Sequence, residues 1–226
     1  IGNALMVATS FEATRKAFEQ SMQTGLTRSA LTGLLDEVRE GNLIIERNLE
    51  RAAELIGSFK QLAVDQTSYQ RRRFELKVLC HEILLTLQPT LRKKPYQLHS
   101  ELNDACQMDS YPGPLGQVLI NLINNAIVHA FVGREQGNIT LDSRLDGDTV
   151  VIRVSDDGLG MEAESLKKIF DPFYTTRLGQ GGSGLGLHIV YTLVPGLLGG
   201  RIVVNSEPGN GCCFTLYLPQ VAPLPS

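Results

Sequence analysis

The chain has 226 residues, 42% of them hydrophobic, and a net charge of −3 at pH 7: a globular composition with room for one large domain or two small ones. So small a net charge argues against a general attraction for nucleic acid, and no apolar run reaches the ~20 residues of a membrane span. The four cysteines (Cys80, Cys106, Cys212, Cys213) lack metal-ligand spacing and two are adjacent, which reads as reduced packing residues in a cytoplasmic protein and argues against zinc or haem.

In chain order, Leu5, Ala8, Phe11, Phe18 and Met22 form a short helical stripe, with Gly25 as C-cap and Thr27 or Ser29 as the next N-cap. Leu31, Leu35, Val38, Asn42, Ile45, Leu49, Ala52, Ile56, Phe59 and Ala63 then alternate steps of four and three, a heptad seam. Glu37, Arg39, Glu46, Arg47, Glu50 and Arg51 fill the other faces, and Asn42 is a polar intruder of the kind that fixes register. These elements predict an antiparallel helical hairpin, a domain over residues 1–66. One seam between two helices leaves apolar surface uncovered, so pairing with a second copy into a four-helix bundle is the expected solution. The alternative is a hairpin packed on its own second domain.

The polar run DQTSYQRRR (65–73) reads as a linker, and a second domain is expected over 74–220. There FELKV reads as a strand, LCHEILLTL as a helix, YQLHSEL as a strand, and residues 115–131 as a helix. NITLDSRL and TVVIRVSD predict a hairpin around Asp146-Gly147-Asp148. A helix after Gly186 should end or kink at Pro195, and RIVVNS and CFTLYLP form a hairpin across PGNG. The closing VAPLPS reads as frayed. Strands joined mostly by hairpins, with helices gathered apart, predict an α+β fold: a two-layer α/β sandwich behind the helical hairpin.

Chemistry concentrates in four stretches of this second domain. On the oily helix LGQVLINLINNAIVHAF, Asn121, Asn125 and His129 recur every fourth residue along one stripe. Carboxamide oxygens suit Mg²⁺, which takes the rest of its ligands from water and phosphates; loop caps and a helix-end histidine are the structural alternative. In SDDGLGM, Asp156 stands at a strand end where a carboxylate can accept from an exocyclic amine, with Gly158 and Gly160 opening the turn to a flat base. In IFDPFYTTR, Phe170 and Phe173 flank a proline turn before Arg177. The glycines of GGSGLGLHIV either cradle phosphate at a helix N-terminus or merely cap a buried helix. The G-x-G-x-G spacing of Gly182, Gly184 and Gly186 is neither the dinucleotide fingerprint nor a Walker loop.

Taken in order, these stretches resemble the catalytic module of sensor histidine kinases. NLINNA resembles its asparagine box, DDGLG its first glycine box, FDPFYTTR its phenylalanine box and GSGLGL its second glycine box, over about residues 74–219. The hairpin before it resembles the family's dimerisation and histidine phosphotransfer domain. The resemblance implies a GHKL-type sandwich fold and a protein-histidine kinase of a two-component system, using ATP and Mg²⁺. Asn125 would ligate the metal, with Asn121 close to the phosphates and His129 beside them. Asp156 would bind the adenine amine in a pocket shaped by Gly158 and Gly160; Arg177 would reach the phosphates from a flexible lid. Gly182, Gly184, Leu185 and Gly186 would surround the phosphate chain, with Phe170 and Thr176 completing the nucleotide site. Implied partners are a second copy through the hairpin and the receiver domain of a response regulator, with no nucleic acid.

Two departures leave the nucleotide motifs untouched: Pro195 in the helix after the second glycine box, and Cys212-Cys213 where a small residue or Thr is usual. A third lies at the start. The family's acceptor, His-acidic-x-x-x-Pro, belongs on the first helix, yet residues 1–30 contain no histidine, and IGNAL resembles the segment just past that motif's proline. The expectation is a chain that begins just after the acceptor. A non-kinase ATP-binding or partner-recruiting module is the alternative, disfavoured by the intact Asn125 and Asp156; gyrase-, mismatch-repair- or chaperone-type ATPases would need a further transducer domain.

Overall fold

The computed structural model describes residues 29, 31–33, 35–45, 70–92, 94–177 and 184–224, and the chain divides into two compact units, Ile1–Gly57 and Ser58–Ser226. The described residues of the first unit are all helical. In that stretch the heptad seam is open: Leu35 is 61% exposed, Leu31 and Asn42 are exposed too, and Val38 and Ile45 are partly covered. The rest of the expected hairpin lies outside the described residues.

The second unit begins with β1 (Arg72–Glu75), α1 (Leu76–Leu91), β2 (Tyr96–Glu101), β3 (Gln107–Ser110) and α2 (Pro112–Asn125). One π-helical turn, Ala126–Ala130, extends α2 and leads into β4 (Gly137–Asp146) and β5 (Thr149–Asp156). Then come a single turn α3 (Ala163–Leu166), α4 (Gly186–Gly196), β6 (Arg201–Ser206) and β7 (Cys212–Pro219). The strands form a five-stranded sheet in the order β2-β4-β5-β7-β6, and β1 pairs with β3 apart from it. Both expected hairpins are present, β4 with β5 and β6 with β7.

Alternation along the strands makes the sheet one side of a two-layer fold. Ile139, Leu141, Val150, Ile152, Val154, Phe214, Leu216 and Leu218 are buried on one face. On the other, Arg153 Nε pairs with Asp142 Oδ1 at 2.9 Å, and Arg201 lies 3.8 Å over the Tyr217 ring. Helix α2 carries the core of the helical layer, packing against both α1 and α4. Its Leu115, Val118, Leu119, Leu122 and Ile123 are at most 1% exposed. Burying each such aliphatic side chain is worth ~1.5–3 kcal/mol relative to exposure, so α2 is fixed by packing rather than by propensity.

Several expectations are corrected. FELKV is strand only through Glu75: Leu76, Cys80, Ile83 and Leu87 are buried at helical spacing, and that burial overrides the β propensity of Val78. The run 65–73 is not all linker, since Arg72 and Arg73 already pair with Ser110 and Asp109. Residues 107–110 form a strand that the sequence did not announce. Helix α2 starts three residues earlier than expected, at Pro112, where a missing N–H costs nothing, and its last turn is π rather than α. The end expected at Pro195 is present: the proline sits in the last turn of α4, which stops one residue later at Gly196. The tail is not frayed through residue 223. Val221 bridges Asp109, Ala222 is 2% exposed, and the Tyr111 hydroxyl donates to the Pro223 carbonyl at 3.3 Å. Among the described residues, no helix is long and apolar enough to cross a membrane.

Candidate functional site

The apolar residues of α2 hold it against the sheet and its neighbours, which turns the Asn121–Asn125 stripe toward a cleft of about 590 Å³. Asn121, Asn125 and His129 line this cleft. Facing them are Gly160 from the loop after β5, Thr176 and Arg177 after α3, and Gly184 and Gly186 at the start of α4. Four sequence stretches separated by up to 65 positions, Asn121 to Gly186, thus meet at one opening.

The floor is set by backbone geometry. Leu159 N donates to the Ala130 carbonyl at 2.8 Å, drawing the DDGLG turn against the π turn. A Cβ on Gly158 would collide with that same carbonyl, so only glycine permits the approach. At the far wall Phe173 N donates to Gly184 O at 2.9 Å, with Gly184 at φ +71° and Phe173 itself at φ +67°. Arg177 Nη1 donates to Val128 O, within the π turn, at 3.0 Å, tying the arginine to the cleft wall.

Two adjacent aspartates are separated by structure. Both carboxylate oxygens of Asp157 accept from Asn138, from its backbone N–H at 2.8 Å and its Nδ2 at 2.6 Å. Burial would raise its pKa, but those bonds hold it below the ordinary carboxylate value. Asp156 pairs with Ile139 and Cys212, which places it on the covered face of the sheet, the side of the helices. Its Oδ1 accepts from Gly158 N at 2.9 Å, and burial pushes its pKa up against the opposing backbone N–H groups of Gly158 and Cys212. Asp157 is therefore structural and Asp156 is the carboxylate with capacity to spare.

His129 Nδ1 lies 3.3 Å from Thr176 Oγ1; burial first, and the Arg177 cation second, push its pKa below the ordinary imidazole value. The cleft thus disfavours the charged form of the His129 imidazole beside a guanidinium bonded to Val128 O.

The remaining expected residues stand around the cleft rather than on its wall. Asp156 and Gly158 are next to the cleft-lining Leu159 and Gly160 in the chain, Phe170 stacks on Tyr191 with ring centroids 5.0 Å apart, and Leu185 is buried as the N-cap of α4. Gly182 lies outside the described residues. The sequence reading missed Asn124, Met161, Ser165, Ile169 and Tyr174, which also line the cleft. Only Asn124 carried a signal, as a third amide beside the stripe.

The residues present fit a nucleotide with its metal. The Asn121 side-chain Nδ2 is buried with no partner, a state that costs ~1–3 kcal/mol unless a ligand or rearrangement relieves it. Helix α4 opens on the cleft through Gly186 and Leu187, a setting suited to phosphate oxygens. Asn121 and Asn125 add the neutral oxygen donors that Mg²⁺ accepts.

Residues 111–222 match the family described as histidine kinase-, DNA gyrase B-, and HSP90-like ATPase. The circadian input-output histidine kinase CikA of Synechococcus elongatus is 32% identical over 209 residues, covering 88% of this chain and 27% of that protein. Sensor histidine kinase ZraS of Klebsiella oxytoca is 35% identical over 185 residues, 81% of this chain and 38% of that protein. Among solved structures, the nucleotide-free catalytic domain of histidine kinase ThkA aligns with TM-score 0.59 at 28% identity, covering 68% of this chain and 99% of that one. The chain spans 27% and 38% of the length of the two curated relatives, so it corresponds to one portion of such proteins.

Proposed function

Residues 111–222 place this chain in the histidine kinase-, DNA gyrase B-, and HSP90-like ATPase family as a sensor histidine kinase catalytic domain, and from that premise we propose that it binds Mg·ATP in the α2–α4 cleft and donates the γ-phosphoryl group to a histidine. The observation that carries this reading is the convergence of Asn121, Asn125, Arg177 and the α4 N-terminus on one cleft, with an unpaired amide already buried there. Phosphoryl transfer asks for positioning and charge neutralisation more than covalent chemistry, and this is what such a wall can supply. The metal, when bound, would neutralise charge on the phosphates.

In this reading Asn125 and Asn121 offer oxygens to the metal–phosphate end, and the first turn of α4 offers amide N–H groups. Arg177, held by Val128 O, presents its charge without needing to be ordered first. His129 and Thr176 close the same end, and Asp156 orients the base from the sheet side. The phosphoryl group would pass onward to a response-regulator aspartate; the ThkA kinase has been solved in complex with its response regulator TrrA.

Incubation with γ-labelled Mg·ATP tests the transfer. The chain as given is expected to bind nucleotide yet stay unlabelled, because His81, His99, His129 and His188 are its only histidines and none lies within residues 1–30. His129 is part of the cleft wall and His188 is bonded to the Phe170 carbonyl at 3.0 Å, so neither can meet the γ-phosphate in line. Joining a His-Glu-x-x-x-Pro segment before Ile1 should produce acid-labile label. Stoichiometric acid-labile label on the unaltered chain would overturn the assignment.

The helical unit, in this proposal, pairs two copies into a four-helix bundle. Leu31 and Leu35 of the seam are exposed in the single chain, and each large aliphatic side chain covered on pairing contributes ~1.5–3 kcal/mol. Leu35→Glu with Ile45→Glu should turn a dimeric chain into monomers or insoluble protein. Light scattering at micromolar concentration decides it; a monomeric mass for the parent refutes the bundle.

A further inference from the structure

Gln117 lies one turn before Asn121 on α2, is 7% exposed, and has neither Oε1 nor Nε2 hydrogen-bonded. Its neighbours Leu115, Val118 and Leu119 are wholly buried, so the site is a packed core position. Methionine or leucine has nearly the same volume and strands no amide, so packing gives no reason for a carboxamide here. Asn121, four residues on and therefore on the same helix face, strands its Nδ2 as well. The other end of that amide, Oδ1, lies 3.4 Å from where a Cβ on Gly186 would stand, at the opening of α4. The two orphans are complementary, since Asn121 Nδ2 can only donate and Gln117 Oε1 can only accept.

We propose that Gln117 is a positioning residue for Asn121: in the nucleotide-loaded cleft its Oε1 accepts from Asn121 Nδ2, which holds the Asn121 oxygen on the side of α4 and the phosphates. This rests on the cleft being the nucleotide site. An asparagine amide offers an oxygen or an NH₂ with nearly the same shape, and a backbone N–H or metal-bound water can use only the oxygen. Fixing which end faces the ligand therefore adds to affinity without any contact between Gln117 and nucleotide. The unpaired state without ligand is the converse: the amide is retained although it lowers the stability of the empty domain.

Opposite signs on stability and binding separate this role from a structural one. In the full chain, Gln117→Met should raise the unfolding midpoint without nucleotide by roughly 2–4 °C. The same variant should weaken Mg·ATP binding about tenfold by calorimetry. Asn121→Ala should weaken binding too, and Gln117→Met added to it should cost nothing further, because a residue that acts through Asn121 has nothing left to orient. Parent-like affinity in Gln117→Met, or losses that add in the double variant, would overturn the proposal. Failure of both Gln117→Met and Gln117→Leu to fold would overturn it equally, since the amide would then belong to the fold. If instead Asn121→Ala binds Mg·ATP as the parent does, the reading of the cleft itself fails, which is a separate outcome.

Discussion

Asp156→Asn is expected to weaken ATP binding by on the order of a hundredfold or more while the domain stays folded. The carboxylate already accepts from Gly158 N, and as an acceptor it can take a further hydrogen bond from an adenine amine. An asparagine keeps one oxygen for Gly158 and turns an NH₂ toward that amine, donor against donor, in a half-buried setting where water cannot repair the mismatch. The fold should not suffer. Burial pushes the Asp156 pKa up, so the folded state bears a penalty for its charge that sets in as pH rises through the ordinary carboxylate value and grows until pH passes the raised one. A neutral amide lacks that penalty, and the unfolding midpoint of the variant at pH 7 should be at or above the parent's. GTP, with a carbonyl where adenine has its amine, should bind the parent poorly. Calorimetry with both nucleotides decides the matter, and equal parent affinities for ATP and GTP would sink the role given to Asp156.

Asn125→Ala should abolish the Mg²⁺ dependence of nucleotide binding, leaving weak association through the base. Asn125 is the last α-helical residue before the π turn, and its side chain lines the cleft. In the proposed role Asn125 would give Mg²⁺ a protein oxygen, and a cation that gives up water reluctantly would have little else to hold it, with the phosphates, to the protein. The Asn121 carboxamide sits one turn back, with its Oδ1 beside Gly186, so it is not at the position that Asn125 vacates. The check is ATP affinity titrated against Mg²⁺ in both proteins. Superimposable titrations would make Asn125 a structural residue.

Most of the site is written locally. Asn121, Asn125 and His129 share a stripe because helical periodicity puts every fourth residue on one side, and the glycine runs mark close backbone approaches wherever they fold. The same holds for β4, β5, β6 and β7, whose alternation and turn residues define hairpins between near neighbours in sequence. The four motifs in order therefore carried the family, and the sandwich expectation with it.

Other features depend on partners far away along the chain, for which no local pattern exists. The parallel pairing of β2 with β4, the β1–β3 ribbon and the tail docked on Asp109 belong here, the last joined by a bond between Tyr111 and Pro223, 112 positions apart. The sequence singles out Asp156 by its place at a strand end, and the structure adds what Asp157 does: both its oxygens are taken by Asn138. Nothing in the sequence marks Gln117, whose two side-chain polar atoms are left without a partner only once the helix is packed. Periodicity and turn chemistry act over a few residues and can be read from the sequence. Which polar groups are satisfied, and which are left wanting a ligand, is decided only when distant segments close over them and exclude water.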